Sequence, residues 1–207
     1  MNTEFLISLL KEYKMVMVEN RDYLINLDSV CGDGDLGLTM SDGFAAAYDA
    51  VSAGTEADAG KILYTAGKAM STAVPSTMGT LMASGLIQAG KVLKGKSELA
   101  PSDVVDLFQA YQEGVQTRGK AQIGDKTFLD GWAPAVDAVR EAVATNKDMK
   151  TVSEKAHKAA AAGFKNTTDM VAKHGRAATR GEASKALEDP GAAVAMLLME
   201  AFKRVFN

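Results

Sequence analysis

Three aspartates separated by glycines stand close together near the amino terminus. Asp28, Asp33 and Asp35 lie in the stretch LDSVCGDGDLGLTM, which glycine and aspartate predict to be a loop. If the loop folds the three carboxylates toward one point, they repel one another unless a cation lies among them. Oxygen ligands of this kind suit Mg²⁺ or Ca²⁺. The spacing is compatible with a divalent-metal site, and also with a solvated Asp/Gly turn that caps the next helix.

The EF-hand pattern does not fit this stretch. A calcium loop that begins at Asp33 requires glutamate at its twelfth position, where Phe44 stands. A loop that begins at Asp28 would have Val30 and Gly32 at its third and fifth positions, and neither offers a side-chain oxygen. Any metal site here is therefore of another type.

Gly32, Gly34 and Gly37 also match the GxGxxG pattern of dinucleotide-binding loops. They follow a helical pattern and not a strand, and Asp33 and Asp35 would repel a bare pyrophosphate. We interpret the match as accidental. Phosphates could approach this loop only across bound metal.

A second polar stretch covers residues 71–80, where small hydroxylated residues surround Pro75. A helix is predicted to begin near Ser76, and a helix amino terminus with free N–H groups can bind phosphate. A serine-capped helix start without any ligand accounts for the same residues. Further loops that combine glycine with charge cover residues 118–130, 173–177 and 188–191, and long loops of this kind often carry function.

The elements that must position these loops are helices. Ala, Leu, Met, Lys and Glu are frequent, and alternating β-branched runs are almost absent. About eight helices are predicted, and short connections favour an all-α, antiparallel up-and-down bundle or barrel with a single domain over residues 1–207. The expected helix starts are Asn2 or Thr3, a Thr55/Asp58 capping pair, Pro101, a Thr151/Glu154 capping box before a helix reaching about Lys173, and Asp189-Pro190.

Composition excludes several classes of protein. Twenty-three basic and 26 acidic residues give a net charge of −3, which argues against nucleic acid as the main partner. The single cysteine, Cys31, excludes an internal disulfide framework and fits a reducing cytosol. The longest apolar stretch has eight residues, against about 20 for a membrane span. We therefore expect a cytoplasmic protein that binds no membrane.

Taken together, the stretches LDSVCGDGDLGLTM, VPSTMG, RGKAQIGDKTFLDGWAPA, GRA and DPGA resemble the ADP-binding L subunits of the dihydroxyacetone kinase family. The resemblance spans essentially the whole chain, in family order and at family spacing. It implies an eight-helix antiparallel barrel that holds nucleotide and Mg²⁺ in loops at one end.

The resemblance also implies residue roles. Asp28, Asp33 and Asp35 match the aspartates that coordinate Mg²⁺, with two ions expected and ADP or ATP as the nucleotide. No catalytic side chain is implied, because the family's catalysis is positioning plus electrostatics. The positions that match the nucleotide site are Leu36, Gly37, Leu38, Thr39, Thr77, Met78, Gly119, Phe128, Arg176, Asp189, Pro190 and Gly191.

The implied function is phosphoryl transfer to a small ketose, such as dihydroxyacetone, held on a separate K-type subunit. Recharging by a phosphohistidine donor protein of a phosphotransferase system, or by ATP exchange, is implied as well. Many family members have histidine where Leu36 stands, a Gly-Gly-Ala-Ser-Gly loop where residues 75–79 read PSTMG, and methionine at Phe128. These departures leave a non-catalytic nucleotide- and metal-binding regulator as the alternative.

Overall fold

Nine α-helices and two short 3₁₀ segments make up the secondary structure of the computed structural model, which describes residues 1–207. The 3₁₀ segments are Thr167–Asp169 and Arg176–Ser184. None of the helices is both long enough and apolar enough to cross a lipid bilayer. The α-helices are α1 (Glu4–Glu19), α2 (Arg21–Ser29), α3 (Leu36–Asp49), α4 (Ala59–Ala73), α5 (Thr77–Val92), α6 (Pro101–Gly119), α7 (Phe128–Ala144), α8 (Met149–Asn166) and α9 (Pro190–Arg204).

The helix starts follow local capping chemistry. Asp58 caps α4 by accepting the Gly60 N–H at 2.8 Å. Asp189 caps α9 by accepting the Ala192 N–H at 2.7 Å, with Pro190 at the first helical position. The Asp189 start confirms the prediction, whereas the predicted Thr55/Asp58 capping pair is wrong, because Asp58 itself is the N-cap residue. In both helices a side-chain oxygen accepts from an amide group that has no partner within the helix.

The predicted boundaries of α8 are wrong at both ends. Asp148, not Thr151, is the N-cap residue, and its carboxylate accepts the Thr151 N–H at 2.9 Å. The helix ends at Asn166 instead of continuing to about Lys173. The Thr167 hydroxyl donates to the Phe164 carbonyl at 2.6 Å, a local bond that competes with helix continuation and precedes a 3₁₀ turn.

The helices form a closed ring in chain order. Each helix from α3 to α9 packs on the next, and α9 packs on α1, which closes the ring against α3. Helix α2 continues α1 after a break at Asn20 and also packs on α3. With α2 counted as an extension of α1, the ring has eight members, and the predicted all-α up-and-down barrel is confirmed.

Neighbouring helices run antiparallel and approach closely where glycines face each other. A Cβ on Gly60, at the start of α4, would lie 2.4 Å from the carbonyl oxygen of Gly90, at the end of α5. A Cβ on Gly67 would lie 2.9 Å from the carbonyl oxygen of Ala83. Side chains at these positions would push the two helices apart, so the sequence fixes both their spacing and their register.

Aromatic rings fill the barrel beneath one rim. Trp132 is fully buried, donates its indole N–H to the Phe108 carbonyl at 3.1 Å, and stacks on Phe128 with ring centroids 5.1 Å apart. Phe108 in turn meets Phe202 edge to face at 4.8 Å. These contacts belong to a single cluster of 51 buried residues. Phe128 is the member of this stack that reaches the rim.

Residues 170–187, which we call the strap, cross this rim between α8 and α9. Asp125 holds one end of the strap: its carboxylate binds Lys173 Nζ at 2.7 Å and His174 Nε2 at 3.0 Å. The same carboxylate accepts the Gln122 N–H at 2.7 Å. The bond from Lys173, with those from Gln122 and His174, lowers the pKa of Asp125 to about 2.

Replacing Asp125 with Asn is expected to destabilise the protein by about 1–3 kcal/mol near pH 7, because a buried, ionised acceptor of three hydrogen bonds is lost. Since the folded-state pKa is depressed to about 2, the wild-type carboxylate stabilises the fold above its unfolded pKa of about 3.9. That stabilisation is lost as the pH falls through the folded pKa. Urea unfolding near pH 7 and near pH 3 measures both effects.

The matched control is Asp137→Asn, which removes an exposed ion pair with Arg140 and should change stability by less than about 1 kcal/mol. The free-energy difference between wild type and Asp125→Asn should shrink as the pH falls below about 4. Equal stability of the Asp125 variant and the wild type near pH 7 would contradict this account of how the strap is held.

Candidate functional site

Four helix amino termini meet at one cavity of about 440 Å³. In an up-and-down ring, alternate helices begin at the same rim, and here these are α3, α5, α7 and α9. Their N-cap residues Asp35, Ser76, Thr127 and Asp189 all line the cavity. A helix amino terminus carries partial positive charge and free N–H donors, so this arrangement suits an anion such as a phosphate group.

The aspartate loop forms one wall of the cavity. One carboxylate oxygen from each of Asp28, Asp33 and Asp35 lies within 4.8 Å of the other two. The loop is held by the Gly34 N–H, which donates to Asp28 Oδ2 at 2.9 Å with Gly34 at φ +74°. A Cβ on Gly32 would lie 2.1 Å from Asp28 Oδ1. Both glycines are therefore required for the three carboxylates to converge.

The convergence of the carboxylates is electrostatically unfavourable without a cation. Partial burial, and then the charges of Asp33 and Asp28, raise the pKa of Asp35 above its ordinary value. The one basic group that contacts the trio is Arg176, whose guanidinium binds Asp33 at 2.5 Å. A guanidinium from the strap thus offsets part of the charge that a metal ion would offset.

The donor set fits a hard divalent cation. Ligand oxygens about 2.1 Å from an octahedral Mg²⁺ are roughly 3–4 Å apart, and Ca²⁺ accepts slightly larger spacings. The observed limit of 4.8 Å needs only a small closure of the side chains. Asp28, Asp33 and Asp35 are therefore the residues of this chain that could hold such an ion.

The opposite part of the cavity is apolar. Phe128, at the first position of α7, presents its ring there on the Trp132 stack, and Leu81 and Val115 lie nearby. The carboxyl end of α6 contributes Gly119, where a Cβ would meet the Leu81 side chain at 3.0 Å. A cavity with one charged wall and one aromatic wall can take a ligand that has an anionic end and a planar end.

Asp189 is a titratable group in the buried part of the site. Burial raises its pKa to about 7, the Ala192 N–H opposes the rise, and the charge of Asp130 adds to it. Asp130 is itself buried and accepts N–H groups from Gly124 at 2.5 Å and Thr127 at 2.7 Å. The start of α7 and the start of α9 therefore share one buried acidic region.

Most of the predicted site residues converge on the cavity. Those that line it are Asp28, Asp33, Asp35, Leu36, Thr77, Met78, Gly119, Phe128, Arg176, Asp189, Pro190 and Gly191. Gly37, Leu38 and Thr39 do not, because they turn away along α3. A Cβ on Gly37 would lie 2.1 Å from the Arg21 carbonyl oxygen of α2. The N–H groups of Gly37 and Leu38 still belong to the first turn of α3, where backbone N–H groups have no acceptor within the helix.

The cavity also contains residues that the sequence analysis did not assign. Lys126, Thr127 and His174 lie in its wall, and so does Cys31. The Thr127 hydroxyl and the His174 imidazole belong to the polar loop stretches GDKT and KHGRA, but no pattern in the sequence indicates which groups they approach. Burial raises the pKa of the Cys31 thiol, so this cysteine is not an activated nucleophile.

Comparison with known proteins identifies the family. A model of the DAK2 domain matches residues 30–204. The ADP-binding subunit DhaL of the PEP-dependent dihydroxyacetone kinase of Escherichia coli K12 is 33% identical over 179 residues, which cover 86% of this chain and 85% of that protein. L-erythrulose 1-kinase of Mycolicibacterium smegmatis is 33% identical over 198 residues, 95% of this chain but 34% of that longer protein.

Solved structures agree on the fold. The native dihydroxyacetone kinase of C. freundii superposes with a TM-score of 0.73 at 21% identity, covering 96% of this chain and 34% of that one. The same kinase in complex with AMP-PNP and Mg²⁺ gives a TM-score of 0.72 at 20% identity. The curated relatives are kinases or kinase subunits, which confirms the predicted phosphotransferase class. The chain belongs to the DAK2 domain family, as its aspartate loop and downstream motifs predict.

Proposed function

We propose that residues 1–207 form one nucleotide- and Mg²⁺-binding domain that acts as a phosphoryl-transfer subunit. The observation that carries this proposal is that three convergent carboxylates and four helix amino termini surround one cavity. Carboxylates alone would repel a diphosphate, and helix termini alone would bind any anion. Together they select a phosphate chain that arrives with divalent metal.

In this proposal each wall has one task. Asp28, Asp33 and Asp35 hold the Mg²⁺, expected as two ions, which neutralises charge on the transferring phosphoryl group. The first turns of α3 and α5 donate N–H groups to phosphate oxygens, with Thr77 and Met78 at the start of α5. Arg176 lies beside Asp33, where it can bind a phosphate oxygen as well. Catalysis then consists of positioning and charge stabilisation, without a covalent intermediate on this chain.

The nucleotide base, that of ADP or ATP, is assigned to the aromatic wall. Phe128 offers a ring face backed by Trp132, and Gly119 leaves room beside it. The start of α9, Asp189-Pro190-Gly191, closes this part of the cavity. Aromatic stacking of this kind supports binding of a base whatever the base's hydrogen-bonding pattern.

We assign the phosphoryl acceptor to a separate K-type subunit that binds dihydroxyacetone or a related small ketose. The support is the printed name of the E. coli relative, which calls that protein the ADP-binding subunit of a dihydroxyacetone kinase. A phosphohistidine protein is the proposed donor, because relatives carry the names PEP-dependent and PTS-dependent kinase subunit. The protein is proposed to work in the cytoplasm, where such donors act.

Two departures favour a second candidate function, a nucleotide- and metal-binding regulator without transfer activity. Leu36 is buried and apolar at the start of α3, and Met78 is the second residue of α5. Both side chains line the part of the cavity that is assigned to phosphate. Backbone N–H groups remain there, but these positions contribute no side-chain donor. An ATP-dependent kinase subunit is a third possibility on the same scaffold.

The deciding experiment combines the purified chain with a K-type subunit, a panel of short ketoses and either a phosphohistidine donor protein or ATP. Sugar phosphate that forms only with this chain and the phosphoprotein supports the leading proposal. Formation of sugar phosphate with ATP and without the phosphoprotein supports the ATP-dependent alternative. Nucleotide binding without transfer to any ketose assigns the regulator, and absence of nucleotide binding removes all three.

Replacing Asp33 or Asp35 with Asn is expected to weaken Mg²⁺ and Mg²⁺-dependent ADP binding by about 10-fold or more, because an ionised ligand is lost. Asp35→Asn should also raise the melting temperature of the metal-free protein, since it removes repulsion from Asp33 and Asp28. Calorimetric titration and thermal unfolding in chelator measure the two effects.

Asp49→Asn is the matched control for these variants. Asp49 lies at the other end of α3, exposed and paired with Lys14, so its loss should leave metal and nucleotide binding unchanged. Unaltered Mg²⁺ and ADP binding in a folded Asp33→Asn/Asp35→Asn protein would refute the metal site.

Replacing Phe128 with Ala is expected to weaken ADP binding about 5- to 100-fold, because stacking on an aromatic side chain is worth roughly 1–3 kcal/mol per base. Binding of Mg²⁺-pyrophosphate should be nearly unchanged, since it has no base. Calorimetry with both ligands provides the comparison. Phe164→Ala controls for the loss of a buried ring outside the cavity. Equal losses for ADP and pyrophosphate would place the base elsewhere.

A further inference from the structure

Lys126 is a buried lysine whose ammonium meets backbone carbonyls of the strap. Only 3% of the residue is exposed. Its Nζ donates to the carbonyl oxygens of Leu187 at 2.6 Å, Ser184 at 2.7 Å and Met170 at 3.2 Å. These acceptors stand at the two ends of the strap, so a single side chain ties together segments that are 14 to 17 residues apart along the chain.

The ammonium group has no hydrogen-bond donor left for a ligand. A lysine side chain carries three N–H donors and no acceptor, and three carbonyls engage them. Lys126 lies in the cavity wall beside Phe128, in a glycine-containing loop, where a phosphate-binding lysine would be the usual interpretation. The hydrogen bonding indicates instead that this residue acts on the strap.

The strap carries groups that complete the aspartate wall. Arg176 binds Asp33 at 2.5 Å, and Arg180 donates to the Val30 carbonyl at 2.6 Å. Both contacts depend on where the 3₁₀ segment Arg176–Ser184 lies, and Lys126 binds the last carbonyl of that segment. The other long-range ties of the strap are few. Asp125 holds residues 173 and 174, the Ala172 N–H donates to Ser184 Oγ at 2.9 Å, and the Ala186 N–H donates to the Thr168 carbonyl at 2.9 Å.

Placing Lys126 here carries energetic penalties that the local chain alone does not offset. The residue has φ +62°, a left-handed conformation that costs about 1 kcal/mol or more for a residue with a Cβ. Removing an ammonium from water is unfavourable as well, and burial lowers the pKa of this lysine. The three carbonyl contacts are what compensates, so the fold of the strap and the conformation of the Lys126 loop stabilise each other.

We propose that Lys126 is a positioning residue: by holding both ends of the strap, it sets Arg176 against the aspartate loop and so controls nucleotide affinity without contacting the nucleotide. The identity of the ligand rests on the proposed function. The structural part, in which Lys126 holds the strap, does not depend on that function. Loss of the lysine should release the strap and separate Arg176 from Asp33. The metal ligands themselves, which belong to another loop, should stay in place.

The test compares Lys126→Met, which keeps the aliphatic stem, with Lys126→Gln, which keeps an amide donor. Amide hydrogen exchange of the ligand-free protein should accelerate about 10-fold or more at residues 170–187 and remain unchanged in α1, α4 and α6. Calorimetry should show Mg²⁺-ADP binding weakened by about 10-fold in Lys126→Met and less in Lys126→Gln. Binding of Mg²⁺ alone should be unchanged or tighter, because Asp33 is freed from Arg176.

Lys120→Met is the matched control, because Lys120 is exposed in the same loop and shares a left-handed conformation with φ +59°. It should behave as wild type in every measurement. Lost ADP affinity with unchanged hydrogen exchange in the strap would overturn the proposal in favour of direct contact between Lys126 and the nucleotide. Wild-type behaviour of both Lys126 variants would overturn it outright. If Lys126→Met does not fold, the same readouts on Lys126→Gln decide.

If wild type binds no nucleotide, the proposed function fails, and hydrogen exchange still decides whether Lys126 holds the strap. A general loss of stability would accelerate exchange throughout the barrel and weaken Mg²⁺ binding together with ADP binding. Weakened nucleotide binding together with unchanged or tighter Mg²⁺ binding therefore separates a positioning role from a merely structural one.

Discussion

Negative carboxylates and partially positive helix termini around one cavity are the constraint on which the rest of this structure depends. Asp28, Asp33 and Asp35 bring negative charge to one wall, and the amino termini of alternate helices bring partial positive charge to the same space. An up-and-down ring brings the helix amino termini together automatically, because every other helix begins at the same rim. The wall of carboxylates is formed by a span of eight residues, Asp28 to Asp35, which needs Gly32 and Gly34 to bend back on itself.

The barrel supplies rigidity to the wall of helix amino termini. Gly60 and Gly67 fix the approach of α4 and α5, and thereby the place where α5 begins beneath the cavity. The aromatic stack ending in Phe128 fixes the start of α7. These termini are therefore attached to a buried cluster, which limits how far they can rearrange when a ligand enters.

Local chemistry explains which features the sequence predicted well. The helix start at Asp189 follows from a side-chain acceptor next to unpaired N–H groups, and the aspartate trio follows from its short separation along the chain. The end of α8 at Asn166 was missed, because threonine hydroxyls after it compete for helix carbonyls. Lys126 could not be assigned, since its three acceptors are set by the path of the strap, which no local pattern encodes.

The stack between Trp132 and Phe128 has a spectroscopic consequence. Trp132 is the sole tryptophan of the chain, is fully buried, and is separated from the cavity by a single aromatic ring. The ultraviolet emission of the protein therefore comes mainly from an indole next to the site, with no second indole to dilute it. The chain carries an intrinsic optical reporter at the one place where a guest molecule would alter the ring environment.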